Sequence, residues 1–255
     1  MASALLSESM ALTPEQLDRH KRHILLKEIG GPGVQRLTAA KVSIVGAGAL
    51  GGPCAMYLAA GGVGEIELWD NDLVDRSNLQ RQVQFTEADI GKPKVQRLAE
   101  RLKSAAPDCQ VTERQQRWNE AYRLDGSIVI DATDNFETRF ALNQAAHATG
   151  RYLVSGAASR WTGQVSVFAS GVKPDAPCYQ CFVPEMPPDA EACEDVGVVG
   201  PVTGIVASHM ALEVLKLITG AGSPLIGRVL LLDGLGGVSR TVTLHPDTEC
   251  PVCKG

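Results

Sequence analysis

The chain has 255 residues, enough for one large α/β domain or two small ones. Its hydrophobic content of 44% and charged content of 21% are ordinary for a soluble globular protein. The net charge of −5 argues against a nucleic-acid partner, because nucleic-acid-binding surfaces are broadly basic. The N-terminus lacks the basic start and apolar core of a secretory signal, so we expect a cytoplasmic protein without a membrane partner.

The N-terminal segment is predicted to form a helical arm over residues 13–33. Thr13 suits an N-cap, Pro14 the first turn, and Gln16 the closing position of a capping box. This helix is expected to continue to Leu26. Gly30-Gly31-Pro32-Gly33 is then expected to break the chain.

Alternating strands and helices are predicted to follow the arm. Strands are expected at Val42–Val45, Glu65–Trp69, Gln110–Arg114, Ser127–Ile130 and Tyr152–Val154, and helices at Leu50–Ala60, Lys92–Ala105 and Glu137–Ala148. This alternation predicts an α/β fold with a doubly wound, Rossmann-like, mostly parallel sheet over residues 40–156. Residues 42–64 carry no formal charge over the length of a membrane span, but their glycines and Pro53 favour a buried strand, a turn and a helix.

The pattern changes after residue 156. Short strands at Gln164–Ala169, Val229–Leu232 and Val238–Leu244 predict an antiparallel extension within residues 157–255. A helix with one apolar face is expected from Pro201 to Gly220. Residues 183–200 are rich in proline and acidic residues and lack periodicity, so we expect a mobile loop. We interpret residues 1–255 as a single domain.

A glycine-rich loop predicts a nucleotide site. In Gly46-x-Gly48-x-x-Gly51 the glycines allow the backbone to approach a phosphate, while the following helix directs its amide groups at negative charge. Asp70 follows Gly51 by 19 residues at the end of the next strand, where it suits a ribose hydroxyl. An NAD-dependent oxidoreductase has the same pattern, so the loop alone indicates a nucleotide without identifying it.

Charged residues downstream favour a triphosphate. Arg81 and Lys94 lie on successive loops, and Asp131 and Asp134 follow a strand. A triphosphate carries roughly four negative charges, which cations and Mg²⁺ must offset during nucleotidyl transfer. Asp134 or Asp131 could supply the oxygen ligands of that Mg²⁺. Arg81 or Lys94 alone would be interpreted as a solvated surface charge, but the two cations together with an acidic residue at a strand end favour ATP.

The seven cysteines favour metal binding or reactivity over disulfides in a chain without a secretory signal. Two Cys-x-x-Cys pairs, Cys178–Cys181 and Cys250–Cys253, have the spacing of tetrahedral zinc ligands. Because 68 residues separate the pairs, a shared zinc would be structural and would staple the C-terminal end. Exposed redox pairs and disulfides are the alternatives. His245 is a conceivable substitute ligand.

These residues together resemble the ThiF/MoeB/HesA family, the bacterial relatives of ubiquitin-activating enzymes. The resemblance covers nearly the whole chain. It is carried, in family order, by Arg19-His20-x-Arg22, Gly46-Ala47-Gly48-Ala49-Leu50-Gly51, Asp70-x-Asp72-x-Val74, Ser77-Asn78-Leu79-Gln80-Arg81-Gln82, Gly91-x-Pro93-Lys94, Thr133-Asp134-Asn135, Ser155-Gly156-Ala157-Ala158 and both Cys-x-x-Cys pairs. The Ser77–Gln82 segment is the most specific of these motifs, and the glycine loop is the least specific.

The resemblance implies adenylation of the C-terminal glycine of a small ubiquitin-like sulfur-carrier protein that ends in Gly-Gly. Carried over residue by residue, the family's roles fall on Asp70 for the ribose, Asn78, Arg81 and Lys94 for phosphates, and Asp134 for Mg²⁺. A terminal carboxylate has a pKa of about 3.5 and is ionised at neutral pH, so it can attack the α-phosphate without a general base. Catalysis then consists of positioning and charge neutralisation, with pyrophosphate as the leaving group.

The resemblance also implies partners. Arg22 would reach into the ATP site of the neighbouring subunit, as a fourth catalytic group beside Arg81, Lys94 and Asp134, which implies a homodimer with composite sites. The four paired cysteines would hold structural zinc. We expect a separate protein to donate sulfur, because no rhodanese-like segment follows the second cysteine pair.

Cys193 is a candidate sulfur or acyl acceptor, since some family members use a cysteine in the corresponding loop. Its acidic neighbours are expected to raise the thiol pKa and weaken its nucleophilicity, which weighs against catalysis.

Three alternatives to the adenylyltransferase remain open. They are the NAD-dependent oxidoreductase, a non-catalytic partner-binding member of the family, and an enzyme that activates a carboxylate on tRNA. The acidic net charge and the cysteine quartet weigh against the last. No motif identifies the carrier, so molybdopterin, thiamine and other thiolation pathways stay equally possible.

Overall fold

The structure is a computed structural model that describes residues 11–186 and 196–254. Its strands are β1 (Lys41–Val45), β2 (Glu65–Trp69), β3 (Gln110–Arg114), β4 (Ile128–Asp131), β5 (Tyr152–Ser159), β6 (Thr162–Phe168), β7 (Arg228–Asp233) and β8 (Val238–Thr243). Its helices are α1 (Pro14–Arg19), α2 (Lys21–Ile24), α3 (Gly30–Ala39), α4 (Gly51–Ala60), α5 (Lys94–Ala105), α6 (Phe136–Ala148), α7 (Tyr179–Phe182) and α8 (Gly200–Thr219). Short 3₁₀ turns lie at Arg76–Asn78 and Glu87–Asp89.

All of these strands belong to one sheet, in the order β3-β2-β1-β4-β5-β6-β7-β8. Strands β1 to β5 pair in parallel, and β6, β7 and β8 are antiparallel to their neighbours. The predicted doubly wound sheet with an antiparallel extension is therefore confirmed. The direction of strand progression reverses between β1 and β4, which opens a crevice at the carboxyl ends of these strands.

The apolar segments fold as buried elements. Residues 42–64 form β1, the glycine turn and α4, as interpreted from their glycines and Pro53. The helix α8 is long and apolar enough to cross a membrane by length and composition alone. Here α8 packs against β5, β6, α3 and α4, and half of its apolar window is buried inside the protein. Packing in the core accounts for its composition.

The N-terminal arm differs from the prediction. The capping box at Thr13 is present, but the expected continuous helix is interrupted at His20, between α1 and α2. The imidazole of His20 is buried against Gly62, where an added Cβ would lie 2.8 Å from the ring. The glycine run predicted as a break instead begins α3. Within it, Gly33 packs so closely on Ile29 that an added Cβ would lie 2.7 Å from Ile29 Cγ2.

Two other boundaries moved for physical reasons. The strand predicted to end at Val154 continues to Ser159, because β5 pairs with β6 along its outer half. Helix α5 begins at Lys94, two residues later than expected, since Pro93 occupies its N-cap and bridges to Leu73. Half of the expected mobile loop, residues 187–195, lies outside the described residues.

A buried carboxylate fixes the segment that leads into α5. Asp89 accepts hydrogen bonds from the Thr86 amide and hydroxyl, both at 2.8 Å. It also pairs with Arg97 at 2.7 Å and Arg101 at 3.0 Å. Burial acts to raise the pKa of Asp89, but the hydrogen bonds from Thr86 and the arginines outweigh it and hold the pKa well below its ordinary value of 3.8.

We therefore expect Asp89→Asn to lower the free energy of unfolding at pH 7 by about 1–3 kcal/mol. A depressed folded-state pKa stabilises the fold above the ordinary pKa and ceases to do so as the pH falls through the folded-state value. The difference from the parent protein should accordingly shrink below pH 3.8. Urea unfolding at several pH values measures this, and a difference that stays constant down to acid would contradict the charge-based account.

Candidate functional site

A cavity of about 1560 Å³ runs along one edge of the sheet. Its inner half lies at the carboxyl ends of β1, β2 and β4, and is lined by the glycine turn, Asp70, Lys94 and Asp134. Its outer half continues over the antiparallel extension and is lined by residues of β5 to β8 such as Gly163 and Arg240. The cavity therefore joins the switch point of the sheet to its extension.

The turn between β1 and α4 can form only with glycine. Gly46 has φ +99°, and an added Cβ would lie 2.5 Å from the Ala132 carbonyl oxygen. At Gly51 an added Cβ would lie 1.8 Å from the Gly46 carbonyl oxygen. The first turn of α4 thus starts directly beneath the cavity, with helix N-terminal amides that have no partner within the helix. Such amides bind anions.

Two polar side chains, the half-buried Asp70 and the buried Gln84, hold this turn. Asp70 accepts the Ala47 amide at 2.7 Å and the Asp72 amide at 2.8 Å. Gln84 donates from Nε2 to the carbonyl oxygens of Ala47 at 3.2 Å and Gly48 at 3.0 Å. Burial raises the pKa of Asp70, and the nearby Lys94 ammonium acts in the opposite direction. Gln84 had no assigned role in the sequence, where nothing distinguishes it from a surface glutamine.

Lys94, predicted to contact phosphate, lines the cavity and has a carboxylate partner there. Its Nζ is 2.7 Å from Asp72 Oδ2, and its side chain is only 7% exposed, against 54% for Asp72. The Lys94 amide also donates to the Asp72 carbonyl at 3.0 Å, and Pro93 bridges to Leu73. Backbone pairing between these two segments therefore brings the ammonium and the carboxylate together.

Arg81 lines the cavity and donates to the Ser77 carbonyl at 3.1 Å. Asn78, predicted to contact phosphate, is not among the residues lining the cavity. Its Oδ1 instead accepts the Asp75 amide at 3.3 Å and closes the 3₁₀ turn that precedes Arg81 in the chain. A direct phosphate contact from Asn78 stays a prediction.

The two aspartates offered for Mg²⁺ have different surroundings. Asp134 is exposed and lines the cavity. Asp131 is buried, and its carboxylate accepts from the hydroxyls of Thr133 at 2.7 Å and Ser155 at 2.6 Å. It also lies 3.8 Å from the buried guanidinium of Arg139. The structure therefore leaves Asp134, not Asp131, available to a metal ion in the cavity.

Arg22 lies on α2, exposed to solvent, and does not line the cavity of its own chain. Cys193 lies outside the described residues. Cys54 and Cys109 are buried, and burial raises their pKa values to about 12 and about 11, respectively. These two thiols are therefore protonated at neutral pH and suit packing instead of chemistry.

The four paired cysteines come together although the pairs are distant in sequence. Their sulfur atoms all lie within 4.8 Å of one another, with Cys178 3.5 Å from Cys250 and Cys181 3.5 Å from Cys253. Tetrahedral zinc with Zn–S bonds of about 2.3 Å needs sulfurs about 3.8 Å apart, so the cluster fits this ion. His245 is exposed and is not part of the cluster.

A neighbouring amide supports metal binding by the cysteines. Asn143 Nδ2 is buried, has no oxygen or nitrogen acceptor within residues 11–186 and 196–254, and lies against the sulfur of Cys178. A metal-bound thiolate is the acceptor that would satisfy this donor, and such partners orient metal ligands. The Asn143 carbonyl oxygen meanwhile accepts the Tyr179 amide at 2.8 Å.

Comparison with known protein families identifies the family of this chain. The ThiF family matches residues 20–252, a span that includes the glycine turn, the cavity and three of the four paired cysteines. The chain belongs to the ThiF family.

Two ThiF relatives resemble the chain over almost its full length. A SAMP-activating enzyme E1 from Haloferax volcanii is 40% identical over 251 residues, which span 96% of this chain and 92% of the relative. A sulfur carrier protein adenylyltransferase from Thermus thermophilus is 40% identical over 252 residues, spanning 96% and 93%. The crystal structure of E. coli MccB with MccA-N7isoASN shares the fold, with a TM-score of 0.82 at 22% identity over 98% of this chain and 77% of MccB.

We expect purified protein to contain one zinc ion per chain, held by the four cysteines. Cys253→Ser should release the zinc and lower the melting temperature, because metal binding contributes directly to folding. Metal analysis and thermal unfolding measure both effects. Cys109→Ser, which changes a thiol outside the cluster, serves as the control and should keep its zinc. Zinc retained at the full level in Cys253→Ser would contradict the assignment.

Proposed function

We propose that this protein is an ATP-dependent adenylyltransferase that activates the C-terminal glycine of a ubiquitin-like sulfur-carrier protein. The observation that carries the proposal is its 40% identity, over 96% of the chain, to a sulfur carrier protein adenylyltransferase. The cavity supports it independently. A helix N-terminus, the cations Lys94 and Arg81, and a carboxylate that could accept from a ribose hydroxyl, Asp70, all line the same space. A triphosphate needs this combination.

The reaction follows from the charges in the inner half. Helix α4, Lys94 and Arg81 would hold the phosphates and stabilise their negative charge. The carrier's terminal carboxylate, ionised at neutral pH, forms a bond from its oxygen to the α-phosphorus. The bond between the α-phosphorus and the bridging oxygen breaks, and pyrophosphate leaves with its electron pair. Asp134 would hold the accompanying Mg²⁺, which supplies further charge neutralisation.

We assign the outer half of the cavity to the tail of the carrier. Small residues line this half, including Ala157, Ala158 and Gly163, and an extended chain ending in Gly-Gly needs little width. Arg240 stands beside them on β8. This arrangement would lead the tail along the sheet extension toward the α-phosphate.

We further propose a homodimer in which Arg22 completes the partner's ATP site. Arg22 does not line its own cavity, although the family resemblance gives it a role there. Large apolar side chains are exposed on the same chain: Met56 and Tyr57 on α4, and Ile205 and Leu212 on α8. Helices α4 and α8 pack side by side, and we propose that a second copy of the chain covers these exposed side chains.

Carrier-dependent pyrophosphate exchange tests the activity. We expect exchange with at least one protein from a panel of ubiquitin-like carriers ending in Gly-Gly, and none without a carrier. Asp134→Ala should reduce the exchange rate by about 100-fold or more, because the negative charge on the phosphates would no longer be neutralised by Mg²⁺ in the transition state. Asp175→Ala removes an exposed carboxylate remote from this cavity and should leave exchange unchanged. Tight NAD binding without ATP binding would instead favour the oxidoreductase, and carrier binding without exchange the non-catalytic member.

Mixing two inactive variants tests the shared site. Arg22→Ala and Asp134→Ala are each expected to be inactive as homodimers. A heterodimer should regain one working site, because one of its two cavities combines an intact Asp134 with an intact Arg22. The measurement is pyrophosphate exchange after isolation of differently tagged heterodimers. Inactivity of verified heterodimers would refute an arginine acting across the interface.

A further inference from the structure

The cysteine cluster is attached to the helix that follows the Asp134 loop. Tyr179 stands between the ligands Cys178 and Cys181, and is only 2% exposed. Its amide donates to Asn143 on α6 at 2.8 Å. Its ring packs edge-on against Phe140, one turn earlier on the same helix, with centroids 5.7 Å apart. The segment that carries two sulfurs is therefore docked on the middle of α6.

The hydroxyl of Tyr179 lies next to the guanidinium of Arg139, and both residues line the cavity. Arg139 is buried and donates from Nη2 to the carbonyl oxygens of Thr133 and, at 2.9 Å, Gly156. Its Nε lies 3.8 Å from Asp131. A guanidinium so far from solvent keeps its position only while its donors have acceptors.

These bonds fix the short loop 132–135. Thr133 is held by its own hydroxyl bond to Asp131 at 2.7 Å and by Arg139 through its carbonyl. Asn135 caps α6 by accepting the Thr138 amide at 2.9 Å. Asp134 lies between these two anchors. The orientation of the Asp134 side chain therefore depends on the positions of Arg139 and the start of α6.

We infer that Tyr179 is a positioning residue that couples the cysteine cluster to the nucleotide cavity. Through Arg139 and α6 it fixes the loop from which Asp134 would reach the metal ion of Mg-ATP. The inference rests on the proposed function, because that function gives Asp134 its role. Zinc bound by the cysteines would then order the Mg-ATP site as well as the C-terminal end.

Tyr179→Phe isolates the hydroxyl, since phenylalanine keeps the ring that packs on Phe140. We expect zinc content to stay at the parent level. The Mg²⁺ concentration that half-saturates ATP binding should rise about tenfold, because the Arg139 guanidinium loses the polar group beside it. Adenosine binding, which needs no metal ion, should not change. Calorimetric titration of ATP at graded Mg²⁺ measures the shift, and metal analysis measures zinc.

Tyr152→Phe is the matched control, because Tyr152 begins β5 at the end of the strand remote from the cavity. An unchanged Mg²⁺ dependence in Tyr179→Phe would overturn the inference, as would equal losses for ATP and adenosine. If the zinc content of Tyr179→Phe also falls, the Mg²⁺ dependence of Arg139→Lys is measured instead, because that substitution leaves the cysteine segment unchanged. A shift in Arg139→Lys supports the coupling, and none overturns it. A parent protein that binds no Mg-ATP would instead refute the proposed function itself.

Discussion

The site depends on one steric constraint, the contact between the backbone at Gly46 and the first turn of α4 at Gly51. No side chain fits between these two segments, since even a Cβ would lie 1.8 Å from a carbonyl oxygen. The contact places the helix N-terminus directly at the end of β1, beside the carboxyl ends of β2 and β4. Because this turn is so tight, the helix N-terminus lies in the same cavity as Asp70, Lys94 and Asp134.

Within the cavity, the ammonium of Lys94 is paired and not free. The protein is acidic overall, and its buried ammonium at Lys94 is neutralised by Asp72 at 2.7 Å. A phosphate that approaches Lys94 meets a group that already has a partner, so binding must offset part of this ion pair. Because Asp72 is the exposed member, solvent can stabilise it when the lysine turns to a stronger anion. The ion pair with Asp72 offsets the cost of burying the Lys94 ammonium until the nucleotide binds.

Much of this arrangement could be predicted from the sequence, because its signals are local. The glycine spacing, the β-branched strands and the Cys-x-x-Cys pairs each specify their own geometry within a few residues. Arg139, Tyr179 and Gln84 were missed because their importance comes from contacts with distant segments, which no pattern encodes. The choice between Asp131 and Asp134 likewise required knowing which carboxylate already had donors. Gly33 was misread because close packing against Ile29 and a chain break use the same residue.

The position of the second cysteine pair also has a consequence for synthesis on the ribosome. All five parallel strands, with the glycine turn and the Asp134 loop, are encoded before residue 160. The fourth sulfur is not available until residue 253 has been added. The nucleotide half can thus collapse while the extension still lacks its cross-link, because domains fold as the chain emerges. Zinc capture by the four cysteines would then be the last step of folding, and a shortage of zinc would leave chains with a folded core and a C-terminal segment that is not cross-linked.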